Sequence, residues 1–312
     1  MAVKSPDPVP VPPAAAPGAL APTMPPGWPA RIRALAAGEL TVPVPRQAAT
    51  VVLLRDTPGD GDGPQAYLLR RRSSMAFAAG MYAYPGGGVD PRDAEAAPDW
   101  AGPSPQEWAA RLGVDRATAQ AVVCAAVRET FEEAGVLLAG PDAATIAPDR
   151  DWSAERAALE AHELSFADFL RRHRLVLRSD LLGGWARWVT PAFEERRYDT
   201  WFFVAAMPPG QRAAREVGEA DRVAWLTPAE AVRGHAEGRY GMLPPTVSVL
   251  RELRPVRSAA QALEASRGRT LTPVLGEAEL TGDRMTVRWS GYEELTIDGH
   301  FPEEGPPADD PQ

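Results

Sequence analysis

Three glutamates crowd into five residues of this chain, Glu129, Glu132 and Glu133, with Arg128 directly before them. On a helix advancing about 100° per residue they fall on one side with the small residues Ala121, Ala125 and Ala126. Gln120, Val123, Cys124, Val127, Phe131 and Ala134 fall on the other. Two such charges about 4 Å apart repel by about 4 kcal/mol at an effective dielectric near 20, but by only a few tenths when exposed to water and salt. The cluster therefore has two readings: a solvated acidic face, or the seat of a divalent cation. For the second reading the alanines leave room, and Arg128, four residues before Glu132, supplies a brace. All-oxygen donors suit Mg²⁺, with Mn²⁺ as a substitute, better than zinc. The lone cysteine and four histidines without a His-x-x-x-His pair supply no zinc motif. Cys124, on the apolar side, reads as a small buried hydrophobe, and no histidine is given a role.

The rest of the composition bounds the partners. The 312 residues carry 33 Lys+Arg against 42 Asp+Glu, a net charge of −9, and 45% are apolar, enough for the core of one large or two ordinary domains. An acidic balance argues against nucleic-acid and anionic-membrane partners, and no apolar run approaches the ~18–20 residues that span a bilayer. A single cysteine excludes an intramolecular disulfide framework, so a cytoplasmic protein with a small-molecule partner is expected. Of 33 prolines, ten fall in residues 1–29 and four in 301–312. Without backbone donors or a periodic apolar face, these are expected to be a disordered Pro/Ala-rich tail and a disordered acidic tail.

The elements that must position the acids read as mixed α/β. Residues 48–54 and 66–70 are aliphatic runs flanking the turn-rich 57–64, a hairpin with a long loop. Residues 115–138 hold the helix of the acidic cluster, with Asp115 at its N-cap and Gly135 as its stop. Residues 200–206 and 222–226 read as strands. The Thr227–Pro228 step opens a helix at Ala229, and 245–253 starts another. From Leu271 the chain alternates as a terminal hairpin turning near Gly282 and Asp283, suited to cover the sheet or a partner in a homodimer.

Before the acidic helix stands YPGGGVD, from Tyr84 to Asp90, and residues 128–136 read RETFEEAGV. Together they resemble the signature of the Nudix hydrolases: a Gly-Gly turn, then Arg-Glu-aliphatic-x-Glu-Glu-x-Gly-aliphatic on a helix, with Thr130 standing where an aliphatic residue is usual. The usual box places the glycine equivalent to Gly87 fourteen residues before the arginine. Here Arg128 lies 41 residues beyond it, so an insert of 27 residues, about 91–117, interrupts the box. It contains Trp100, Trp108 and the helix-like PQEWAARL from Pro105. Eight residues before the arginine the box has a further glutamate; counting back from Arg128 gives Gln120, with Glu107 of the insert as the candidate substitute. A split box resembles the peroxisomal coenzyme A diphosphatase-type branch, as do LLRRRSS from Leu68, WVTP from Trp188, RRYDTWFF from Arg196 and LPPT from Leu243. The likeness covers about residues 46–255. Ala76 stands where the coenzyme A-specific lead-in of other branches has an arginine.

The resemblance implies an α/β/α Nudix sandwich with a mixed sheet, a domain over 30–255, an insertion in the box and a C-terminal extension over 256–300. It implies Mg²⁺-dependent hydrolysis of a diphosphate linkage in a nucleoside diphosphate derivative, coenzyme A or an acyl derivative first. A generic hydrolase of sugar, dinucleotide or cap-like diphosphates and a non-catalytic nucleotide sensor are the rivals. Glu129, Glu132 and Glu133 would hold the metal, with Glu219, six residues before Trp225, as a further ligand or base and Glu216 as its competitor. Glu219 reads equally as a surface acid. Arg128 and Gly135 are expected to be structural. Arg70 and Arg72, flanking Arg71, together with Gly86, Gly87 and Tyr84, are the substrate-side candidates, and Arg196 and Arg197 have a weaker case. Gly86, Gly87 and Gly88 equally shape the turn, and core is the default for Tyr82, Tyr84, Trp201, Phe202 and Phe203.

Overall fold

The computed structural model describes residues 27–57, 63–73, 78–95, 99–214, 220–282 and 284–300. The first helix, α1 (Trp28–Ala36), already departs from the sequence expectation, because it starts inside the stretch read as a tail. Pro29 fits its first turn, and Trp28 packs edge-on against Phe193 with ring centroids 5.0 Å apart. The rest of both proposed tails, 1–26 and 301–312, lies outside the described residues. The expected hairpin follows as β1 (Arg46–Arg55) and β2 (Gln65–Arg71), then β3 (Tyr82–Ala83) and β4 (Gly86–Gly88).

The box insert carries α2 (Pro91–Glu95), β5 (Trp100–Ala101) and α3 (Pro105–Leu112), the last held by a Ser104–Glu107 capping box. The acidic helix is α4 (Arg116–Ala134), followed by β6 (Ala139–Gly140), α5 (Ser153–Glu160), α6 (Phe166–His173) and β7 (Val176–Arg178). Strands β8 (Leu182–Val189), β9 (Tyr198–Ala206) and β10 (Ala220–Leu226) lead to α7 (Pro228–Ala236), where Thr227 and Glu230 form a second capping box. Helices α8 (Pro244–Leu253) and α9 (Ala259–Ser266) precede β11 (Pro273–Thr281), β12 (Arg284–Trp289) and β13 (Ile297–His300).

The main sheet runs β10-β2-β1-β9-β8-β11-β12-β13, with β3 on β2 and β4 on β1. It is mixed: β1 runs parallel to β9, and β11 parallel to β8, while the β1–β2, β8–β9 and β10–β2 pairs are antiparallel. The central strands are buried on both faces, as expected when helices cover both sides. Ala49, Val51 and Leu53 of β1 join Trp201 and Phe203 of β9 in a core with α3, α4, α5 and α6. Val52, Leu54, Phe202 and Val204 point the other way, into a second core with α1, α7, α8 and α9. This is the α/β/α layering that the resemblance implied, and strand alternation puts all three aromatics of β9 in the core, at 1%, 6% and 0% exposure.

A separate small sheet, β5-β7-β6, stitches the insert to the chain that leaves the acidic helix. The C-terminal hairpin forms as β11–β12, with Gly282 at φ +60° beside its turn. It neither lies over the sheet nor stands apart from it: β11 pairs with β8 through Pro273–Arg187, Val274–Trp188 and Leu275–Val189, prolonging the sheet edgeways. Its residues Met285, Val287 and Trp289 share the second core with α8.

That sharing predicts cooperativity. Truncating the fully buried Met285 to alanine should lower the global unfolding free energy by about 2–5 kcal/mol, seen in urea as one shifted transition. An unshifted main transition would show that the extension is not part of the cooperative core.

Candidate metal and diphosphate site

Helix α4 starts at Asp115, whose side chain accepts from the Ala117 and Thr118 amides at 2.9 and 3.0 Å. It stops at Gly135, in the left-handed region at φ +68°, whose amide donates to the Phe131 carbonyl. Between these caps every residue from Ala119 to Ala134 is buried. The reading of an open acidic face is therefore corrected. Glu129, Glu132 and Glu133 are 9%, 8% and 8% exposed, because α2, α3, α5 and the sheet close around the helix. The alanines on that side let these neighbours approach.

The three glycines of β4 make the closest approach. The Gly86 amide donates to Glu133 Oε2 at 2.8 Å. A Cβ on Gly87 would stand 2.6 Å from Glu129 Oε1, so any side chain there would displace the carboxylate. The Gly88 carbonyl accepts from Arg128 Nη2 at 2.9 Å. These glycines shape the strand and also hold the acids, through backbone atoms.

Arg128 joins the cluster together. Its Nη1 donates to Glu129 Oε1 at 2.7 Å and to both Glu132 oxygens at 3.3 Å. Its Nε and Nη2 turn the other way, to Asp93 on α2, at 3.2 and 3.0 Å. Asp93, 5% exposed, is the functional residue that the sequence reading missed. Glu107, the candidate substitute, is exposed and serves the N-cap of α3 with Ser104, while Gln120 faces the core at 5% exposure. The signal was present: in the usual box the glycine and its first acid stand six residues apart, and six beyond Gly87 is Asp93. Counting from the arginine crossed the insert and landed on Gln120. By that count the interruption begins after Asp93, so α2, which was read as the start of the insert, carries the acid ahead of it.

Burial is the dominant cost at this site. It pushes the Glu129 carboxyl up to about 7, against the pull of Arg128, and raises Glu132 and Asp93 in the same way. For Arg128 burial pulls down, but Glu129 and Asp93 outweigh it and the guanidinium is held above its ordinary value. Three of these buried carboxyls, those of Asp93, Glu129 and Glu132, share the single positive charge of Arg128. Among the described residues no three acidic, histidine or cysteine side chains close on one point at ligating distance. The donor set is nevertheless all hard oxygen with excess negative charge, which fits a divalent cation such as Mg²⁺. Beside it, Asp90, Arg92, Asp93, Arg128, Glu132 and Phe166 line part of a narrow crevice. Arg92, paired with Asp90 at 2.5 Å, also reaches His162 on the loop before α6, fastening α2 across the crevice.

Other sequence candidates are placed as follows. Arg70 is committed to Asp221 on β10, at 2.6 and 2.5 Å, and Arg72 is exposed where β2 ends. Tyr84 is 3% exposed and donates to the Thr246 carbonyl at 3.0 Å, a tie between the β3–β4 link and α8 that leaves its ring no face for a nucleotide. Tyr82 is buried against Tyr240. Arg197 donates to the Thr190 and Pro43 carbonyls, and Arg196 is exposed. Cys124 is buried, and burial pushes its thiol up. Glu216, Glu219 and Ala76 lie outside the described residues.

Comparison with known proteins agrees with this geometry. A family model described as the NUDT19 Nudix domain matches residues 116–253, from the start of α4 to the end of α8. The human acyl-coenzyme A diphosphatase NUDT19 is 27% identical, with 82% of each chain covered. The Gallus gallus protein of the same name is also 27% identical, over 64% of this chain and 65% of its own. Among solved structures, a NUDIX hydrolase from Alicyclobacillus acidocaldarius superposes with a TM-score of 0.59 at 26% identity, covering 72% of this chain and 97% of its own.

Two outcomes follow from the buried charges. Replacing Asp93 with alanine should cost about 3–5 kcal/mol in chemical denaturation, the magnitude of a broken buried pair. A loss under 1 kcal/mol would show that Arg128 does not depend on it. For Glu129, a folded-state pKa near 7 against the ordinary 4.5 means the folded protein binds the extra proton between those values. Its contribution to stability is therefore lost as pH rises through that window. In EDTA, wild type should lose stability relative to Glu129→Gln from pH 4.5 to 7, and a flat difference would contradict the raised carboxyl.

Proposed function

The chain belongs to the Nudix hydrolase family, and on that premise we propose that it hydrolyses the diphosphate linkage of coenzyme A or an acyl derivative, with Mg²⁺. The observation that carries the reading is the buried cluster itself. Glu129 and Glu132, held by Arg128, and Glu133, held by the Gly86 amide, gather more buried acid than the single charge of Arg128 offsets, an excess that a divalent cation would relieve. A retired site would gain nothing from three mutually repelling buried acids, which disfavours the non-catalytic sensor. Coenzyme A is chosen over other diphosphates because the human and Gallus gallus relatives are named acyl-coenzyme A diphosphatases.

Bound at Glu129, Glu132 and Glu133, with Glu219 as a further ligand, Mg²⁺ or Mn²⁺ supplies Lewis acidity toward the phosphoryl oxygens and toward a water. The chain's own groups do the rest. Arg128 fixes the rotamers of Glu129 and Glu132, and the Gly86 amide fixes Glu133. One of these glutamates, or Glu219, would take a proton from the attacking water. Of the substrate-side cations, Arg72 is exposed and open to the ligand, whereas Arg70 already neutralises Asp221. The cytoplasm, a reducing compartment, suits the single buried cysteine. Among the described residues no helix is long and apolar enough to cross a membrane.

The test is turnover of a diphosphate panel containing coenzyme A, acetyl-coenzyme A, ADP-ribose and a dinucleotide, with Mg²⁺ and with EDTA. Coenzyme A plus one water should give 3′,5′-ADP and 4′-phosphopantetheine, and EDTA should abolish the reaction. Glu132→Gln and Glu133→Gln should each lower kcat by about 10²-fold or more, on the scale of lost transition-state electrostatics. Preferred turnover of ADP-ribose or the dinucleotide would replace the substrate class, and binding without turnover of any member would overturn the enzyme reading.

A further inference from the structure

The last turn of α4 leaves carbonyls without intrahelical partners, and their partners differ. The Phe131 carbonyl takes the Gly135 amide and the Ala134 carbonyl takes the Ala214 amide at 2.7 Å. The Glu132 carbonyl takes the guanidinium of Arg156 from α5, through Nε at 3.1 Å and Nη2 at 2.5 Å. A cation at a helix C-terminus is a common stabiliser, worth about 0.3–1 kcal/mol, and that alone would account for one of these hydrogen bonds.

Three further observations are not accounted for by capping. Arg156 is half-buried and in no ion pair among the described residues, although it sits at the end of the helix that carries Glu129, Glu132 and Glu133. The charge of Arg128 is spent on three carboxylates and that of Arg70 on Asp221; among the described residues the charge of Arg156 is spent on none. Second, its remaining nitrogen, Nη1, has no acceptor among the described residues and lies in the space left by Gly135, 3.3 Å from where a Cβ there would stand. Third, the Tyr67 hydroxyl, which donates to the Ala214 carbonyl at 3.0 Å, feels the charges of both Arg156 and Glu133. The tie to the Glu132 carbonyl, one residue before Glu133, places the guanidinium at the acidic end of the helix. A guanidinium anchored by a backbone carbonyl keeps its full charge and a fixed direction, which is how a donor to developing phosphoryl charge is preorganised.

We propose that Arg156 is a substrate-contacting residue, holding the end of α4 through Nε and Nη2 while Nη1 receives a non-bridging oxygen of the diphosphate. The role rests on the diphosphatase reading above and deepens it. It is tested by two measurements, one of which needs no turnover. Binding of the hydrolysis-resistant α,β-methylene-ADP is measured by calorimetry, with Mg²⁺ and in EDTA, for wild type, Arg156→Lys and Arg156→Ala. Urea unfolding of each variant is followed in parallel. Arg156→Ala should weaken probe binding at least tenfold in both conditions and lower kcat on the preferred substrate by about 10²-fold. Added guanidinium ion should restore part of that rate. Arg156→Lys, which keeps the charge but loses the fork, should fold as wild type and fall between. Unchanged probe affinity and rate in Arg156→Lys, or in the folded Arg156→Ala protein with only its unfolding midpoint lowered, would reduce Arg156 to a helix cap and overturn the proposal. A wild type that binds the probe but turns over no diphosphate would overturn the diphosphatase reading alone; one that binds no probe would overturn both.

Discussion

Burying carboxylates costs free energy unless opposite charge is buried with them, and at the acidic helix the compensating group is the guanidinium of Arg128. Its planar fork meets partners in three directions: Asp93 on one edge, Glu129 and Glu132 on another, and the Gly88 carbonyl between them. An ammonium group at this position could not serve all three. Because those partners come from α2, from α4 itself and from β4, one side chain fixes how three separate segments sit against each other. The short glycine strand, α2 and the acid-bearing turns of α4 are a single electrostatic unit.

Around that unit the fold supplies coverage. The two cores on opposite faces of the sheet leave α4 enclosed by α2, α3, α5 and β4, and the enclosure raises the carboxyls of Glu129 and Glu132. The same enclosure gives a bound cation its leverage, since a charge brought to a water-poor cluster of acids acts at low effective dielectric. The insert belongs to this enclosure as much as the conventional elements do. Its α3 packs Trp108 against Phe203 of the central strand, and its β5 pairs with β7.

What the sequence disclosed and what it hid divide along physical lines. Local rules were readable: Asp115 and Gly135 bound the helix, the Thr227–Pro228 step starts α7, and alternation through Trp201, Phe202 and Phe203 places them on two faces. Long-range partners were not. A helical wheel shows that Glu129, Glu132 and Glu133 share a side, but cannot show that a glycine strand will lie against that side. Asp93 was concealed because a motif interrupted by an insert has two rulers, one from each end, and only the ruler from Gly87 reaches it. Trp28 looked like part of a proline-rich tail because its partner, Phe193, is distant in sequence. The pairing of β11 with β8 was likewise unreadable, since nothing in either segment names the other.

That pairing settles where the sheet is open to strangers. Without β11, the Leu182–Val189 strand would end the sheet as a long margin bearing two tryptophans, the kind of unpaired edge on which other chains can nucleate. By adding three strands of its own, the chain moves that margin outward to Ile297–His300, a four-residue strand carrying Asp298, which is tied to Thr286 and lies near Arg284. A short, charged border is a poor template for cross-chain pairing. The C-terminal region thus leaves the sheet a short, charged border on this side in place of a long one bearing two tryptophans.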